Sequence, residues 1–136
     1  MRFFNIFILI LIISISCIGH KSDNRFIITY NNSKADIYCF FWERELNDVE
    51  SLSKFDFSQK SVNPNEESSD HVNKLTWEEY IKTCDNQKIR YYIIKKDSVD
   101  KYGWKQIFKK NIYNKKYLFT IEDLDEINWQ IEYKGE

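Results

Sequence analysis

The chain has 136 residues, 43% of them hydrophobic and 17% aromatic, with 20 Lys+Arg against 21 Asp+Glu and only three Gly and one Pro. That length holds one folded domain and excludes a large multidomain enzyme. The near balance of charge excludes the strongly basic footprint of a dedicated nucleic-acid binder.

Arg2 gives a short positive start, and Phe3 to Ile15 is almost wholly apolar, broken only by Asn5 and Ser14, ahead of Ser16 and Cys17. This order reads as a signal peptide over residues 1–16. The run from Phe3 to Gly19 is 17 residues with polar Asn5, Ser14 and Ser16 inside it, short of the roughly 20 apolar residues of a membrane span; an uncleaved anchor is the alternative. A hydrophobic stretch, a small residue and a cysteine resemble the lipobox of bacterial lipoproteins, whose Cys thiol is acylated and becomes the new N-terminus. Ser16 and Ile15 fit that pattern. Ser14 departs from it, because Leu, Val or Ile usually stands three residues before the Cys. Acylation of Cys17 would tether the chain to a membrane, each buried CH₂ contributing about 0.8 kcal/mol, with residues 17–24 as a polar leash and 25–136 as the domain. Ordinary secretion, with a cut after Ser16 or Gly19, is the competing reading.

Three cysteines are an odd count for an exported protein. With Cys17 acylated, Cys39 and Cys84 remain as a candidate disulfide pair, closing a loop of about 45 residues and adding on the order of 4 kcal/mol in the chain-entropy model. The stronger reading is that Cys39, inside Ile37-Tyr38-Cys39-Phe40-Phe41-Trp42, is a small buried apolar residue and Cys84 a helix-end thiol. Charge falls in blocks: residues 42–79 hold ten acids and four bases, 82–116 eleven bases and three acids, and 117–136 six acids and one base. Such blocks either neutralise one another across neighbouring elements, the reading given more weight, or present a basic face to an anionic partner.

In chain order, Phe26 to Tyr30 and Asp36 to Arg44 read as strands joined by the turn residues Asn31 to Lys34, a first hairpin. The second strand is apolar at every central position, which calls for burial on both faces. Residues 45–73 form a long acidic loop, in which Phe55 and Phe57 are candidates for an edge strand. Thr76 and Glu79 make a capping box that starts a short helix ending near Thr83 to Asp85. Lys88 to Lys96 is a strand with Ile89, Tyr91 and Ile93 on one face and Arg90, Tyr92 and Ile94 on the other. Asp97 is expected to cap a helical segment interrupted by Gly103 and lined by Lys101, Lys105, Lys109 and Lys110. Tyr117 to Phe119 extends a strand, Thr120 and Asp123 cap a helix to about Glu126, and Trp129 to Tyr133 alternates as a last strand. The expectation is a mostly antiparallel, β-rich domain of five or six strands and about three short helices, as a sheet or small sandwich, with an α+β arrangement as the alternative.

From Lys96-Asp97-Ser98-Val99-Asp100-Lys101-Tyr102-Gly103-Trp104, through Tyr117 to Leu124, to Asn128-Trp129-Gln130-Ile131-Glu132-Tyr133, the chain resembles a family of small uncharacterised lipoproteins of Bacteroidota. Gly103 and Lys134 depart from that pattern, where a polar helix former and a proline are commoner. The resemblance implies an envelope lipoprotein, anchored to the outer membrane or facing the periplasm, acylated at Cys17 and with no assigned activity.

For chemistry, His20 sits on the leash, so any histidine mechanism rests on His71, with Cys39 or Cys84 as nucleophile. Glu66, Glu67, Asp70 and His71, and separately Glu122, Asp123, Asp125 and Glu126, are clusters of donors without calcium or zinc spacing. No cofactor is expected. Four Trp and nine Tyr suit either cores or a platform for a glycan or peptide, with Tyr80, Tyr102, Tyr113 and Tyr117 as the candidates for exposure. The function expected is that of a binding module in the envelope, with an envelope protein or glycan as partner. The alternative is an envelope enzyme or inhibitor with its site around His71.

Overall fold

The computed structural model describes residues 23–135. The expected signal peptide, the expected acylation site at Cys17 and the expected leash up to Ser22 lie outside the described residues. In chain order the elements are β1 (Ile27–Asn31), β2 (Ile37–Trp42), α1 (Ser51–Lys54), β3 (Glu67–Asp70), α2 (Trp77–Thr83), β4 (Ile89–Lys95), α3 (Lys96–Lys109), β5 (Lys115–Phe119), α4 (Ile121–Glu126) and β6 (Gln130–Tyr133), with a 3-10 turn at Asp85–Gln87. The strands form two sheets, ordered β3-β1-β6 and β2-β4-β5. Every pairing is antiparallel except β1 with β6. This is a small α+β domain with antiparallel-rich sheets, as the strand pattern led one to expect.

The sheets face each other across a first core. Ile27 of β1 and Ile131 of β6 share it with Cys39 of β2 and Tyr91 and Ile93 of β4, and Trp77 and Leu124 join it from α2 and α4. The opposite face of the second sheet, with Phe40, Tyr92 and Ile94, packs on Ile107 and Phe108 of α3 in a second core. β4 is therefore covered on both sides, and Ile93 and Ile94, adjacent in sequence, are both fully buried in different cores. That double burial is why β2 and β4 lack the alternation of a half-exposed strand.

Four local expectations change. β1 and β2 do not form a hairpin; they lie in different sheets. Buried Asn31 donates from Nδ2 to the carbonyls of Ala35 and Val62, both at 2.9 Å, and accepts at Oδ1 from Ser33. This side-chain-bonded turn carries the chain from one sheet to the other instead of reversing it within one. The segment 45–73 is structured: it contains α1 and, at Glu67–Asp70 rather than at Phe55 and Phe57, the edge strand β3. Phe55 is a core residue and Phe57 is exposed, because Phe55 packs on Trp104 and Phe108. Asp97 makes no cap; α3 is preceded by Lys95 without a side-chain cap bond. Asp23, assigned to the leash, is fixed in the fold, its carboxylate accepting from the Trp77 backbone at 2.9 Å and from Arg25.

Other expectations hold. Both capping boxes are complete, Thr76 with Glu79 and Thr120 with Asp123. Gly103 breaks α3 at φ 70°, ψ 153°, a conformation open in practice only to glycine. α4 ends at two consecutive left-handed residues, Asn128 and Trp129. A bulky residue there is an outlier. It is held by the bond from its indole Nε1 to Asp125 at 2.8 Å, by Trp77 and by Arg25, whose guanidinium sits 4.7 Å from the ring centre.

Candidate functional site

Two polar clusters stand out, one in each layer. In the first core the Tyr91 hydroxyl donates to Asp70 Oδ2 at 2.8 Å and lies 2.6 Å from Thr29 Oγ1. With its own proton committed to Asp70, Tyr91 accepts from Thr29, giving a three-member chain across the two sheets. Cys39 Sγ lies 2.9 Å from Ser68 Oγ beside it. Burial raises Asp70 to about 6, against the lowering pull of the Tyr91 bond and the neighbouring His71. Burial likewise pushes Tyr91 far above its usual value. The strand order places these groups: β3 is the edge strand beside β1, so alternate residues Ser68 and Asp70 reach inward while Glu67 and Ser69 are exposed.

The second cluster centres on Glu45. Its carboxylate accepts from buried Arg90 at 2.9 Å, from Lys116 at 2.9 and 3.1 Å, and from the Tyr92 hydroxyl at 3.2 Å. Burial would raise Glu45, but the bonds and charges of Arg90 and Lys116 outweigh it and hold the group at about 2. Arg90 also donates to the Glu43 carbonyl at 3.1 Å, tying β4 to the chain that leaves β2.

The sequence-level candidates fall as follows. His71 is exposed, its ring 5.2 Å from Phe26. Cys39 and Cys84 are free and buried rather than joined. Their sulfurs bond Ser68 and the Tyr80 carbonyl, not His71. Burial pushes the Cys39 thiol up and the Cys84 thiol to about 11, the reverse of the lowered pKa that activates a nucleophilic cysteine. Glu66 accepts from Asn63, Asp123 closes a capping box and Asp125 holds Trp129. Among the described residues no group of three His, Cys, Asp or Glu side chains is placed to hold a metal ion, and no helix is long and apolar enough to cross a membrane.

Most of the aromatic excess is spent on the cores. Of Tyr80, Tyr102, Tyr113 and Tyr117, only Tyr102 is exposed. The Asp70–Tyr91 link and the Glu45 hub escaped sequence reading because their members lie 21 to 71 residues apart. One signal was there: Arg90 is the lone charge between Ile89 and Tyr91 in an apolar strand, and a buried arginine needs a carboxylate partner.

Fold and clusters together define a two-sheet α+β domain braced by buried polar links. Comparison with protein-family models, with curated proteins and with solved structures finds no match to this chain.

Proposed function

We propose that the protein is exported and anchored in the cell envelope through an acylated Cys17, and that its domain is a binding module for another envelope component. The observation that carries this reading is the leader: a basic start, the apolar run Phe3 to Ile15, and Ser16 before Cys17. The domain is consistent with it. Burial raises the pKa of the Cys39 and Cys84 thiols, and the Asp70 and Glu45 carboxylates are bonded to partners from other elements. The resemblance of the C-terminal half to small Bacteroidota lipoproteins points the same way.

The test is the intact mass of the protein recovered from a membrane fraction. The expected species begins at Cys17 and carries the added mass of a diacylglyceryl group, and Cys17→Ala moves the protein out of that fraction. Full-length protein with Met1 attached in the soluble intracellular fraction overturns the reading.

A further inference from the structure

The basic block between residues 82 and 116 is neutralised only in part. Arg90 and Lys116 pair with Glu45, and Lys96 pairs with Asp100. Lys101, Lys105 and Lys109 on α3 and Lys110 just after it are exposed, and among the described residues none of them makes an ion pair. Of the carboxylates flanking α1, Asp48 and Glu50 are committed to cations, while exposed Asp56 accepts from the Ser58 backbone at 2.9 Å. Arg44 holds Asp48 at 3.7 Å and Glu50 at 3.5 Å, and Lys54 holds Glu50 at 3.1 Å.

Between α3 and the segment leading into α1 lies a groove of about 210 Å³, lined by Leu46, Leu52 and Phe108, by Asn47 and Asp48, whose carboxylate faces Arg44, and by Lys105 and Lys109. Four residues apart, those two lysines share one side of the helix. Val49, also at the groove, is 93% exposed. An apolar recess edged by unpaired cations is complementary to an apolar side chain flanked by carboxylates.

We infer that this groove takes an acidic segment of a partner protein, which seats one apolar side chain between α1 and α3 and sets its carboxylates against Lys105 and Lys109. The inference rests on the binding-module reading and names the surface that does the binding. Concavity selects the occupant: a protruding side chain fills a groove, whereas a bilayer offers a flat charged plane. The anchor supplies most of the affinity, and the lysines supply encounter rate and orientation, since exposed ion pairs are weak and screened by salt.

The experiment titrates the mature protein, by fluorescence anisotropy at low salt, into a fluorescein-labelled peptide with one leucine between two runs of four glutamates. A second peptide has glycine in place of leucine. The expected results are binding of the leucine peptide, at least about tenfold weaker binding of the glycine peptide, and a further loss of tenfold or more in the double variant Lys105→Glu, Lys109→Glu. Val49→Asp weakens the leucine peptide in the same direction. All three substituted side chains are exposed, so an unchanged thermal melt accompanies each variant.

Absence of binding by the leucine peptide, equal binding by the double variant, or binding only to phosphatidylglycerol vesicles overturns the groove. The broader reading is scored separately. A natural partner that co-purifies equally with the wild type and the double variant leaves the binding module standing while removing this surface.

Discussion

Asp70 and Glu45 are both carboxylates drawn into the protein and both bonded to a tyrosine hydroxyl, yet their ionisation shifts in opposite directions. Asp70, between the sheets, has Tyr91 as its only side-chain hydrogen-bond donor among the described residues and rises to about 6. Glu45, outside the second sheet, receives Arg90 and Lys116 and falls to about 2. A neutral donor does not compensate for lost hydration of a charge, while two cations do. The two sites therefore bias stability oppositely with pH. For Asp70 the folded pKa lies above the ordinary value of 3.8, so its contribution is fully present below about pH 4 and is lost as pH rises through 6. For Glu45 the folded pKa lies below 4.5, so its contribution is present above that pH and is lost as pH falls toward 2.

The sharpest way to break this contrast is Arg90→Met. It leaves Glu45 with Lys116 as its one cation among the described residues and strips the bond to the Glu43 carbonyl, and it is expected to cost about 3 kcal/mol in urea unfolding at pH 7. Asp70→Asn acts in the other direction. At pH 8 it is expected to stabilise the fold by up to about 2 kcal/mol, because the charge suppressed by burial is gone. At pH 4 the variant and the wild type are expected to match, and equal effects at the two pH values would contradict the assignment. Glu45→Gln is expected to cost about 1 to 2 kcal/mol at pH 7, discounted because part of the side chain faces solvent, and to flatten the acid limb of the stability curve between pH 4.5 and 2. Tyr91→Phe is the smallest change, about 1 kcal/mol. It removes the bond that lowers Asp70, so the midpoint of the Asp70-dependent loss moves above pH 6.

Much of the architecture was legible along the chain because its determinants are local. Thr76-Trp77-Glu78-Glu79 and Thr120-Ile121-Glu122-Asp123 close their capping boxes within three residues, and the two apolar faces of Lys88 to Lys96 follow from strand geometry alone. The Asn31 turn was misread for a physical reason. Its residue types suit a tight hairpin, but the side chain of Asn31 bonds the carbonyl of Val62, a partner 31 residues away. Residues 45–73 looked like loop because β3 is four polar residues, Glu67-Ser68-Ser69-Asp70, and it is a strand through pairing with β1 rather than through its own propensity. The groove beside α3 was half visible: the lysines could be counted, but whether acids neutralise them depends on which chain segments lie alongside.

By itself, the order of residues determined the helix starts, the strand faces and the break at Gly103, since each depends on side chains within a few positions of one another. Tertiary structure alone decided the parallel β1–β6 pairing, the separation of β1 from β2, the fate of Cys39 and Cys84, and the opposite ionisation of Asp70 and Glu45. Those outcomes turn on what meets across the cores, where water is excluded and the identity of a distant neighbour decides whether a charge is stabilised.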